Sequence, residues 1–130
     1  MSQEKGTAAE LQRRVDAIEG AYEFFLAYAA QGLSTDRGSK SGGELRLRLD
    51  EMCDAMESVA EALRARAPTG DAHWRAALAV LEADVAATLP LVRLVASRED
   101  ISSQTVDNLN ANIHLRAVLT DLFLLDELAR

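Results

Sequence analysis

Apolar residues recur along this chain in one rhythm. Leu11, Val15, Ile18, Tyr22, Phe25 and Ala29 fall at spacings of 4, 3, 4, 3 and 4. Leu45, Leu49, Met52, Met56, Val59 and Leu63 repeat that order, and Trp74, Leu78, Leu81, Val85, Thr88, Val92 and Val95 continue it. At about 3.6 residues per turn, such spacing lines side chains along one stripe of an α-helix. Stripes that share one rhythm pack at the shallow angle of a bundle. No stretch alternates with period two and is rich in β-branched residues, so no sheet is expected.

Breakers divide the rhythm into helices over 8–32, 44–66, 71–97 and 102–129. The longest breaker, 33–43, is rich in glycine and serine and reads as a flexible loop. "APTGD" (67–71) places a proline after one helix and Asp71 where it caps the next, while Ser102 or Ser103 can cap the last. The short second and third connections force antiparallel neighbours. The expected fold is therefore all-α, an antiparallel up-down-up-down four-helix bundle. Its 130 residues suffice for one domain, 1–130, with a core of its own. Pro90 removes a backbone hydrogen bond inside the third helix and is expected to kink it.

The fourth helix changes face. Val106, Leu109 and Ile113 make one stripe, continued weakly by Ala117, Thr120 and Leu124. A stronger stripe, nearly opposite, runs through Leu115, Val118, Leu119, Leu122 and Leu125. A helix apolar on two faces is central in a large protein or covered by a partner. No helix is central in a four-helix monomer, so these five residues are expected to form a homodimer interface. The same helix opens on "VDNLNANIHLR" (106–116), with three asparagines among poor helix formers. Asn108 and Gln104 lie where the stronger stripe turns polar, and a buried polar layer there would fix register. Solvent exposure suits Asn110 and Asn112 equally well.

These asparagines also suggest a site. In an antiparallel layout the end of the first helix neighbours the start of the fourth. Tyr22, Phe24 and Tyr28 would then face Gln104 and Asn108, giving aromatic walls with a few amides and a mobile lid. That composition suits a small-molecule pocket. Aromatics at helical spacing are more often core than pocket.

Recognisable catalytic chemistry is missing. Neither histidine, His73 or His114, follows a glutamate by three residues, as a di-iron carboxylate bundle requires. Asp107, His114 and Asp121 at sevenfold spacing offer at most a weak metal set, so no metal or cofactor is expected. The lone cysteine, Cys53, excludes an internal disulfide, and its acidic neighbours disfavour the thiolate. A net charge of -7 without a basic face argues against nucleic acid and anionic membrane. No apolar run approaches the roughly 20 residues of a membrane span, and a cytoplasmic location is the default. The expected function is that of a non-enzymatic accessory, adaptor or assembly protein acting through protein contact. The alternative is a ligand-binding or sensing bundle.

Overall fold

The computed structural model describes residues 2–130, with side chains from Thr7 onward. It is all-helical, and no strand occurs among the described residues. The helices are α1 (Ser2–Ala29), α2 (Lys40–Arg66), α3 (Ala72–Ala96), α4 (Ser103–Ala111) and α5 (Ile113–Ala129). Side-chain caps start them where the sequence supplies an oxygen. Ser39 accepts from the Gly42 N–H, Asp71 from His73 and Trp74, and Ser102 from Thr105. Because Ser39 caps α2, that helix begins at Lys40 rather than at 44.

α1 packs chiefly on α2 and α4, and α3 chiefly on α2 and α5. Between two neighbours, α2 buries all six residues of its stripe. Leu78, Leu81, Val85, Thr88 and Val92 do the same on α3. α1 keeps Leu11, Val15, Ile18 and Phe25 inside, but Ala21 and Tyr28 replace Tyr22 and Ala29 in its second half. Flanked by α2 and α4, that half buries a face wider than one seam. α3 continues through an exposed Pro90, whose missing N–H leaves the Ala86 carbonyl without its helical donor. No helix among the described residues is long and apolar enough to cross a membrane.

Two expectations need correction. The fourth helix is not continuous over 102–129, because Asn112 is extended (φ -65, ψ 130) and separates α4 from α5. Its N–H closes α4 on the Leu109 carbonyl, and its side chain caps α5 by accepting from the His114 N–H at 2.9 Å. The asparagine is a hinge point between two helices, which is why a poor helix former occupies it.

The loop 33–43 is not loose either. The Leu33 N–H donates to Ser103 Oγ at 2.9 Å, and the Ser103 N–H returns a bond to the Leu33 carbonyl at 2.8 Å. Asp36, 6% exposed, accepts from Arg46 Nε at 2.7 Å and from the Ile101 N–H at 2.9 Å. Arg46 also donates to the carbonyls of Ala96, Arg98 and Glu99. Apolar anchors are few here, and polar ones take their place.

Candidate functional site

The residues expected to form a ligand pocket do not converge on one. Tyr28 is fully buried and its hydroxyl donates to the Ile101 carbonyl at 2.7 Å, closing the loop end. Burial also pushes its phenol pKa up, with the Asp36 charge adding to it. Phe24 lies half-buried on the α2 side, with the Arg48 guanidinium 5.8 Å from its ring centre. Tyr22 is half-buried, and its carbonyl accepts from Asn110 Nδ2 at 3.3 Å. Gln104 and Asn108 are exposed and bond to each other at 3.3 Å. Of the five, Gln104 alone borders the open groove there, beside Leu26, Gly32 and Asp107. Asn108 belongs to no buried polar layer. The buried amide is Asn110, 5% exposed, with its Oδ1 unpartnered.

The expected interface is corrected as well. Leu115, Val118, Leu119, Leu122 and Leu125 all lie in the chain's own core. The break at Asn112 is the physical reason. On a straight helix at about 100° per residue, the buried faces of α4 and α5 would point roughly 140° apart. One extended residue absorbs that rotation, so both faces reach the same core. The second face needs no partner to cover it.

What α5 leaves outside is the other stripe. Ile113 is 75% exposed, and Leu124 and Leu128 are exposed with it, joined by Ala117 and Thr120 at helical spacing. α3 presents an exposed strip of Ala76, Val80, Ala83, Ala87, Pro90 and Leu94 that carries no charge. The two helices meet where Leu125 and Leu128 line a small apolar hollow with His73, Trp74 and Ala77. Neither strip contains a charged residue of its own.

Each helix also carries an acid beside its strip. The Asp84 carboxyl of α3 faces that of Asp121 on α5, close enough to bond it once one of the two holds a proton. Burial, then the bond to Asp84 and its negative charge, pushes the Asp121 carboxyl pKa up to about 7. Two carboxylates this close cannot both ionise cheaply, and a shared proton joins them. With both carboxyls ionised, the buried Asp121 Oδ2 would have no donor. Three- and four-residue spacing along a helix makes neighbours. By that rule Val80 and Ala87 flank Asp84, while Ala117 and Leu124 flank Asp121. Sequence reasoning sends the Ile113–Leu124 stripe inward and misses Asp84. The usable signal was the abrupt switch of stripe beside an asparagine.

The remaining chemistry is sparse. Cys53 is half-buried, and its thiol pKa is raised by burial first, with Arg93 opposing and Asp50, Asp54 and Glu57 adding. His114 is exposed on α5, whereas Asp107 lies on α4 across the break. No group of three or more potential metal ligands gathers among the described residues. No known protein family, curated protein or solved structure matches the chain.

Proposed function

We propose that this chain is a non-enzymatic helical module that works by contact with another protein, through the outer face of α3 and α5. The observation that carries this reading is that exposed face itself, with Val80, Leu94, Ile113, Leu124 and Leu128 in the open and no charge along the α3 strip. Contiguous apolar surface of this kind is costly to leave in water and marks interaction sites. In this reading the helices form an antiparallel bundle of four rods, with α4 and α5 as one rod broken at Asn112 and α3 bent at Pro90. Pairing of Gln31 with Ser41 and Phe24 with Arg48 supports the first antiparallel hairpin. Pairing of Arg46 with Ala96 and Arg64 with Glu82 supports the second.

A photo-crosslinking residue placed at 80 or 124, with one at exposed Asp54 as control, tests the reading in extract of the native host. Discrete protein adducts from 80 and 124 but not from 54 are expected. Absence of adducts at both face positions overturns it.

A further inference from the structure

The chain from Ser103 to Ala129 has the local means to form one helix, yet it folds as two. It contains neither glycine nor proline. Its exposed stripe of Ile113, Ala117, Thr120, Leu124 and Leu128 continues, in helical phase, the Val106 and Leu109 that α4 buries. An unbroken helix would carry one apolar stripe from Val106 to Leu128. The break rests on a single torsion. Asn112 already has a helical φ of -65, and only its ψ of 130 departs from the roughly -42 of an α-helix. The Arg116 N–H already donates to the Asn112 carbonyl, as it would in a continuous helix.

Rotating that torsion has a defined consequence. With α4 kept on α1, the core face of α5 would swing by roughly 140°. Leu115, Val118, Leu119, Leu122 and Leu125 would turn away from the core they fill, and the α3 they cover would lie bare. The surface that fits those five side chains exists on every copy of the chain, because the folded monomer already seats them there. A second copy with the same rotation supplies the vacant seat and needs one in return. Reciprocal exchange of α5 keeps the α3–α5 packing of each unit. It also adds helical bonds that the break forgoes, such as that from the Leu115 N–H to the Ala111 carbonyl. Against it stand the lost Asn112 cap and the entropy of joining two chains, so concentration decides.

We propose that α5 is an exchangeable arm. The two helices fuse through Asn112, and two copies of the chain swap α5 to form a dimer. This goes beyond the contact reading above and does not depend on it.

The test is to unfold each chain in urea, refold it while concentrated, and read the mass by light scattering after dilution. Wild type is expected to yield a slowly dissociating dimer beside the monomer. Asn112→Leu removes the cap and favours the continuous helix, and it should raise the dimer fraction about tenfold or more. Ile113→Pro should abolish the dimer. Proline suits the first position of α5 and holds Asn112 extended, so the monomer keeps its fold. Should that variant fail to fold, two glycines inserted after Asn112 break helical continuity in its place. Ala77→Cys with Leu128→Cys, on a Cys53→Ser background, separates exchange from simple docking. The two positions line one hollow between α3 and α5. A short bis-maleimide should therefore give covalent dimers from the refolded dimer and internally bridged chains from the monomer. Wild type that refolds only to monomer overturns the proposal. So does a dimer that persists in Ile113→Pro or with the glycine insertion, and so does one whose bridges stay within each chain.

Discussion

Asp121 holds a proton at a pH where a carboxyl group in water has lost it, and folding stability must follow. Its folded pKa is about 7 against an ordinary value of 3.8. Between those values the folded chain keeps a proton that the unfolded chain releases. Stability therefore declines as pH rises from about 4 to about 7 and is level above. Glu19, raised by burial and by Asp126, adds the same sign. Asp36 works oppositely, because the Arg46 guanidinium holds it below the usual carboxylate range and its contribution is lost as acid is added. Asp121→Asn isolates one contribution. Urea unfolding at pH 8 should find the variant about 1–2 kcal/mol more stable than wild type, after allowance for solvent screening. At pH 4 the two should agree, and a constant difference across the range would refute the assignment. Gly42 offers a second test at this scale. A Cβ there would lie 1.8 Å from the Asp36 carbonyl oxygen. Gly→Ala inside a helix ordinarily stabilises by up to about 1 kcal/mol. Here Gly42→Ala should instead cost about 2 kcal/mol by the same measurement, because the backbone must give way.

Elements were legible where a helix lies between two neighbours and one face decides its burial. All six stripe residues of α2 went inside as their spacing requires, and so did the middle of the α3 stripe. The stretch 102–129 was read wrongly because periodicity assumes one helix axis, and a single extended residue resets the phase. "NANIH" holds the clue, since asparagine caps a following helix better than it continues one. The site inherited that error. With the phase unbroken, Ile113 and Leu124 turn inward and Leu115 outward, the reverse of their places. Asp84 and Asp121, distant in sequence, have no common pattern until α3 and α5 are known to touch. The cap can be tested directly. Asn112→Ala should lose about 1 kcal/mol by thermal or urea unfolding, because the His114 N–H loses its acceptor, while Asn112→Asp should lose little. Equal effects from the two would mean that the break is set by packing alone.

At the scale of the whole molecule, one end of the fold is closed by polar bonds between distant stretches of chain. Asp36 joins the first loop to Ile101 and to Arg46 of α2, and Arg46 reaches the carbonyls that follow α3. Tyr28 and Ser103 tie the end of α1 to the start of α4. Arg37 pairs with Glu99 and Asp100 across the same gap. A loop tied at this many points opens only when the ties go, so its susceptibility to protease reports on the closed end. Limited trypsin digestion of the wild type should therefore spare Arg37 and Lys40 until the protein unfolds globally, despite the glycines and serines around them. Asp36→Ala strips Arg46 of its carboxylate and leaves the Ile101 N–H without an acceptor. It should cost about 3 kcal/mol and make Arg37 or Lys40 the earliest cut. Mass spectrometry of the first fragments decides the matter. An early cut at Arg37 or Lys40 in the wild type would show that these bonds do not hold the loop in solution. Unchanged protection in Asp36→Ala would shift the closing role from the Asp36–Arg46 pair to Tyr28 and Ser103.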